Sequence, residues 1–440
     1  MDQDTMSPNR ATSSSSAPQT PKSKLYPGKR APKNMNPLQK GIHAYLTTHI
    51  APSVLSDHGI SLETLLPTLP KRYTVYEPML LLPVNALSTP PVWSALYQSL
   101  SEEDRTVLYA SIANAFSALG VTHVAINAPI ALTDVQGQEN KMRSPVGLVP
   151  LYGDFGALPS GDDEMGQPGE EDLRRAFWVR TVQNHGIVQI WAPLYTMFSR
   201  GNITEKARIL GHGGAFEGLD ESSLRGDGIG DISVVDMYAG IGYFVFSYLK
   251  RGVRRVWGWE INGWSVEGLR RGCVENGWGC KVVRVREDGS LSEPIPELVE
   301  NLRDSDKVVI FHGDNRFAAD ILMEVKELMS ARQSWNSIRH VNLGLLPSSS
   351  AAWSSACKMI DSGKDGWVHV HENVDVQQIE EKSQEIIKEL GRLRAQVLDI
   401  PEVAVDCRHV EQVKTYAPGV MHCVFDMRLP SSEPNLQTSV

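Results

Sequence analysis

Between residues 187 and 429, short apolar runs rich in β-branched residues alternate with amphipathic stretches, and no other feature constrains the fold of this chain as tightly. The strand-like runs are "GIVQIWAP", the mostly apolar Ile232 to Val235, "RRVWGWEI", "KVVIFHGD", "HVNLGLLP" and "GWVHVHENV". Helical patterns fall between them at "GWSVEGLRRGCVEN", "RFAADILMEVKELM" and "SSAAWSSACKMI". A longer amphipathic helix is predicted from Val376 to Val397, with Ile379, Ile386, Ile387, Leu390 and Leu393 on one stripe. Two further strands, "VAVDCRHVEQVKTY" and "MHCVFDMRL", are joined by "APG". This alternation predicts an α/β fold, a doubly wound and mostly parallel sheet with helices on both faces.

Upstream the rhythm differs. Residues 37 to 160 carry short apolar helices ("NPLQKGIHAYL", "EEDRTVLYASIANAF") and strand-like runs ("PMLLLPV", "HVAIN"), predicting a smaller α+β accessory domain. Residues 1 to 36, rich in Ser, Pro, Lys and Asn, offer little to bury and predict a disordered tail. The acidic, Gly-rich run 159 to 172 predicts a linker or long surface loop before a second domain, 173 to 430, and residues 431 to 440 a short tail. A polar, Gly-rich stretch at 211 to 231 is a further insertion.

With 41% hydrophobic and 22% charged residues the chain has the balance of a globular protein. Its formal charge of −9 argues against a uniformly basic nucleic-acid binder, while Lys250, Arg251, Arg254, Arg255, Arg270 and Arg271 leave room for local positive faces. Five cysteines form no CxxC pair, which predicts buried thiols in a reducing compartment. No apolar run reaches the ~18 residues of a membrane span and the first residues lack a signal pattern, so a cytoplasmic address is expected, with no membrane role.

The chemistry is expected where the first strand of the alternation ends, at "DMYAGIGYF", residues 236 to 244. In a doubly wound sheet the ligand sits beyond the carboxyl ends of the strands, where strand order reverses. Gly240 and Gly242 on one tight turn allow a ligand close to the backbone, but Val245 stands where a dinucleotide fingerprint needs a third glycine. S-adenosylmethionine, which carries no pyrophosphate, suits such a turn better; a tight connection with no ligand is the plain alternative. Glu260 closes the next strand, where a carboxylate can accept both hydroxyls of a ribose. Asp314 and Asn315 in "HGDNR" are placed to bond adenine, although Asp314 also reads as a helix cap. Asn342 in "NLGLLPSS" stands at the mouth of the crevice, either holding an acceptor base or bonding a neighbouring loop. Ser199 and Lys206 flank the start of a helix near Asn202, where Glu205 completes a variant capping box. A hydroxyl and an ammonium there suit a methionine carboxylate, helped by the helix end, though Lys206 taken alone reads as a surface lysine.

Taken together, "IWAPLYTMFSRGNITEKARIL", "DMYAGIGYFVFSYLKRG", "GWEIN", "HGDNR", "NLGLLPSS", "HVHENV" and "VKTYAPGVMHCVFDM" resemble the tRNA wybutosine-synthesizing protein 2 family, relatives of the tRNA guanine-N1 methyltransferases. The resemblance covers about 178 to 430, with the stretches 159 to 172, 211 to 231 and 280 to 306 as additions. It implies a Rossmann-like class I methyltransferase fold and a transferase using S-adenosyl-L-methionine as co-substrate, with no metal. The implied reaction moves the 3-amino-3-carboxypropyl group onto 4-demethylwyosine, the tricyclic guanine derivative 3′ of the anticodon of phenylalanine tRNA, and releases methylthioadenosine. The cofactor contacts it implies fall on Ser199, Lys206, Glu260, Asp314 and Asn315. No catalytic base is implied, and no stable protein partner. Lys414 and Tyr416 in the "VKTYAPG" turn are candidates for RNA contact, against a core-packed Tyr416. The competing readings are a tRNA guanine-N1 methyltransferase, a noncatalytic tRNA-binding scaffold and, third, a nicotinamide dehydrogenase.

Overall fold

The computed structural model describes residues 35–127, 148–156, 167–183, 185–196, 198–199 and 201–432. The expected tails, up to residue 34 and from 433, and most of the acidic run lie outside the described residues. The alternating region forms one eight-stranded sheet. Its strands lie side by side in the order Asp406–Ala417, Val420–Leu429, Gly366–Asp375, Ile338–Leu343, Ser233–Asp236, Arg255–Glu260, Asp306–His312, Gly279–Arg284. Val420–Leu429 is antiparallel to both of its neighbours, and every other pairing is parallel. Strand order reverses between Ser233–Asp236 and Ile338–Leu343, so the carboxyl ends of these two strands flank the crevice such a sheet offers to ligands.

Helices cover both faces because the central strands are apolar on both sides. One core packs Val235, Trp257, Trp259, Val309, Phe311 and Val341 against Ile321, Leu322, Val325 and Leu390. The opposite core packs Val234, Val256 and Ile310 against Phe246, Leu249 and Leu269. The long C-terminal helix runs from Ile379 to Leu398, starting later than its periodicity suggests, with Ile386 and Leu390 buried and Ile379, Ile387 and Leu393 packed beside them. The stretch 280 to 306, read as an addition, holds an edge strand, Gly279–Arg284, and a helix, Ile295–Asn301, whose Leu298 and Val299 join the core. Within the polar insertion at 211 to 231, Leu219 and Leu224 are buried anchors. Of the cysteines, Cys273, Cys357 and Cys423 are buried, Cys280 and Cys407 only partly, and all are free.

The N-terminal region folds around its own core. A four-stranded sheet, Thr74–Tyr76, Met79–Leu82, His123–Ile126 and Val149–Tyr152, is backed by the helices Pro37–Thr48, Pro91–Ser99 and Glu102–Ala115. Asn36 and Gln39 form a reciprocal capping box at the first helix, which starts on Pro37. The hairpin Val179–Gln183 and Ile187–Trp191 joins neither sheet and lies between them. A small aromatic core links the parts: Trp191 stacks on Phe198 at 4.3 Å, and Tyr76 meets both edge-on at 4.8 and 5.3 Å. Among the described residues no helix is long and apolar enough to cross a membrane.

Candidate functional site

The turn after Asp236 requires its glycines. Gly240 and Gly242 have φ of +54° and +87°, the left-handed region that side chains with a Cβ rarely adopt. A Cβ at Gly240 would sit 2.9 Å from the Tyr243 ring, and one at Gly242 would sit 2.6 Å from Phe246. The chain therefore bends back tightly, and its amides face the next strand end. There Glu260 receives the amide of Gly240 at 2.8 Å on one carboxylate oxygen and the amide of Asn262 at 2.8 Å on the other. Burial pushes this carboxyl up, and the backbone amides offset that only in part. A carboxylate has about four lone-pair sites, so each oxygen keeps capacity for a hydroxyl donor.

Asp236, which ends the first strand, is fully buried. Its Oδ1 accepts from the amide of Tyr238 and from Asn342 Nδ2, both at 3.2 Å, while its Oδ2 is buried without a partner. Burial pushes its carboxyl up to about 7. Asn342, 1% exposed, thus bonds a strand end rather than a loop. The third strand end contributes Asn315, whose amide donates to the carbonyl of Met237 at 2.7 Å, beside the same turn. Asp314 is exposed and caps the turn Asn315–Phe317 through the amide of Arg316 at 2.9 Å.

The helix expected near Asn202 is short, Ile203–Ile209, and its capping box does not form. Asn202 makes no side-chain cap bond, and the Glu205 carboxylate, which would have to reach back to the Asn202 amide, is taken by Arg208 at 3.0 Å, both of them buried. Lys206 lies in the last turn, so the attraction of a helix start does not reach it. Nor is it a surface lysine. It is 3% exposed, donates to Gln189 Oε1 at 3.1 Å and stands 5.1 Å from the Tyr243 ring centre and 5.9 Å from that of Phe198. Burial alone lowers its ammonium to about 8, and among the described residues no carboxylate pairs with it. Ser199, half-buried, donates its amide to the Tyr243 hydroxyl at 3.1 Å.

Ser199, Lys206, Gly240, Gly242 and Glu260 are thus tied together around Tyr243, with Asn315, Asp236 and Asn342 beneath the same turn. Asp314 lies at the rim. Sequence reasoning missed Tyr243, Gln189 and Phe198, and left Asp236 without a role. Two signals were there: Gln189 is the one polar residue inside "GIVQIWAP", and Asp236 is an acid closing an apolar strand. Tyr416, 48% exposed, is not core-packed, and the Lys414 side chain lies against Gly201 in the Ser199 loop. A cleft of about 520 Å³ bordered by Asp220, Arg225, Asp365 and Arg428 shares none of these residues; Arg225 and Arg428 pair there with Asp365, and Asp220 is taken by Ser222 and Ser223. Among the described residues no group of three or more His, Cys, Asp or Glu is arranged to hold a metal ion.

An S-adenosyl group fits this arrangement at both ends. A buried ammonium without a counter-ion suits a carboxylate, and a carboxylate braced by two amides suits a ribose diol.

No protein-family model matches the chain. It is 38% identical over 359 residues to tRNA wybutosine-synthesizing protein 2 of Schizosaccharomyces pombe, covering 81% of this chain and 72% of the relative. It is 33% identical over 416 residues to the Saccharomyces cerevisiae protein of the same name, covering 86% and 79%. Among solved structures, Pyrococcus horikoshii TYW2 in complex with MeSAdo aligns with a TM-score of 0.48 and 18% identity, over 87% of this chain and 99% of that one. With the two fungal relatives matched over most of their length, the chain belongs to the tRNA wybutosine-synthesizing protein 2 family.

Proposed function

We propose that this crevice transfers the 3-amino-3-carboxypropyl group of S-adenosylmethionine to 4-demethylwyosine in phenylalanine tRNA, in the cytoplasm, releasing methylthioadenosine. The chain is an S-adenosylmethionine-dependent tRNA transferase of wybutosine biosynthesis. The observation that carries the assignment of the crevice is Lys206, a buried ammonium with no carboxylate partner among the described residues, joined through Tyr243 to the Gly240 turn and so to Glu260. Glu260 holds the ribose, Asn315 and Asp314 meet adenine, and Ser199 with Lys206 holds the methionine carboxylate. Asn342, fixed by Asp236, borders the space for the acceptor base.

A sulfonium supplies a leaving group that departs without acid assistance, so the protein's task is to position one carbon in line with the ring carbon. Gripping the carboxylate fixes the arm and presents its γ-carbon. The test is an incubation of the protein with tRNA carrying the tricyclic base and with S-adenosylmethionine labelled separately in the methyl and in the aminocarboxypropyl group. The expected result is label retained in RNA from the aminocarboxypropyl group alone. Retention of methyl label would assign the chain to guanine methylation, and absence of cofactor binding would make it a tRNA-binding scaffold.

A further inference from the structure

Tyr243 is a residue to which neither the sequence pattern nor the reading above gives a role in holding the cofactor, yet two of the proposed cofactor contacts, Ser199 and Lys206, and the Gly240 turn converge on it. Its ring lies over the Gly240 turn so closely that a Cβ there would be 2.9 Å from two ring carbons. Its hydroxyl oxygen accepts the amide of Ser199 at 3.1 Å. The Lys206 ammonium stands 5.1 Å from its ring centre, within cation–π range. The same ring packs beside Phe198, with centres 6.2 Å apart, and so continues the aromatic core formed with Trp191 and Tyr76. One side chain therefore touches, at once, the Ser199 amide, the Lys206 ammonium and the turn at Gly240.

We propose that Tyr243 is the positioning residue that fixes the amino-acid arm of S-adenosylmethionine and thereby selects which sulfonium carbon meets the RNA. The proposal rests on the reading of the crevice given above. Two displacements compete at the sulfonium. In the first, the bond from the ring carbon to Cγ forms as the S–Cγ bond breaks; the electron pair stays on sulfur, the ring proton passes to solvent and methylthioadenosine leaves. In the second, the bond to the methyl carbon forms as the S–CH3 bond breaks, and S-adenosylhomocysteine leaves with the same electron pair and the same loss of a ring proton. Both use the same leaving centre, so orientation of the arm decides between them. A ring that carries the Ser199 loop on its oxygen and the ammonium on its face holds that orientation from both sides.

The experiment compares wild type, Tyr243→Phe and Tyr243→Leu in two measurements: affinities for S-adenosylmethionine and methylthioadenosine by calorimetry, and the ratio of methylthioadenosine to S-adenosylhomocysteine released on tRNA. Methylthioadenosine lacks the arm. Tyr243→Phe, which removes one oxygen and keeps the ring, is expected to weaken S-adenosylmethionine about fivefold and leave methylthioadenosine unchanged. Tyr243→Leu is expected to lower the product ratio about tenfold or more. Parallel loss of both ligands in Tyr243→Phe, no loss of either, or an unchanged ratio in Tyr243→Leu overturns the proposal. A wild-type protein that binds neither ligand, or releases S-adenosylhomocysteine, overturns instead the reading of the crevice on which it rests.

Discussion

Lys206 is the residue in which sequence and structure differ most. In "NITEKARIL" it is one charge among several, and a hydrophobic pattern cannot reveal that the buried face of a helix is itself polar. Glu205, Lys206 and Arg208 are all buried there beside Ile209, because polar partners such as Gln189 and Asp426 meet them inside the fold. By contrast, Gly240, Gly242 and Glu260 were legible, since a glycine pair after an apolar strand and an acid at the next strand end are requirements of local geometry. Lys206 has its ammonium lowered to about 8 by burial, so the charged form that the proposed carboxylate contact needs is present below that pH and lost above it. KM for S-adenosylmethionine is therefore expected to be flat below pH ~8 and to rise above it. Lys206→Met should be flat throughout and weaker by about 10- to 100-fold, as for loss of a charged hydrogen bond. At the turn, Gly242→Ala combines a left-handed φ with a contact on Phe246, and a loss of about 3 kcal/mol is expected in urea unfolding. Asp236 is held above the ordinary carboxylate range, so ionising it costs stability as pH rises from about 4 to about 7. Asp236→Asn should gain on wild type through that window, and the gain should vanish at pH 4.

At the scale of elements, the strand and helix alternation predicted the sheet and its parallel centre. The edge strand Gly279–Arg284 escaped because an edge needs no apolar face, and only Val283 on it is fully buried. What secures the short helix bearing Lys206 was equally invisible, since it depends on residues more than 150 positions away. Arg208, 2% exposed, pairs with Glu205 on its own helix and with Asp426 on the strand Val420–Leu429. Asp426 in turn accepts from His369 at 2.7 Å, and His369 meets His340 at 3.0 Å. Arg208 and Asp426 form an almost fully buried ion pair, so removing the guanidinium leaves the carboxylate uncompensated. Arg208→Met is expected to cost about 3–5 kcal/mol in urea unfolding. Arg392→Ala, at an exposed pair with Glu389, should leave the urea midpoint essentially unchanged.

At the scale of the whole molecule, the N-terminal region has its own core and reaches the crevice through Tyr76, Trp191 and Phe198. Its position was not legible in the sequence, because the hairpin between the two sheets carries no motif and the contacts are between single aromatic rings. The chain is acidic as a whole, at −9, so RNA must be met by local positive faces, and KM for tRNA is expected to rise steeply with salt. The expected pH dependence of KM and the loss in Lys206→Met depend on where one ligand lies. A crystal structure with S-adenosylmethionine bound tests that directly. The account predicts ribose hydroxyls on Glu260, the arm's carboxylate within hydrogen-bond distance of Lys206 Nζ, and the γ-carbon facing the space beside Asn342. An arm turned away from Lys206 with the methyl group facing that space would contradict it.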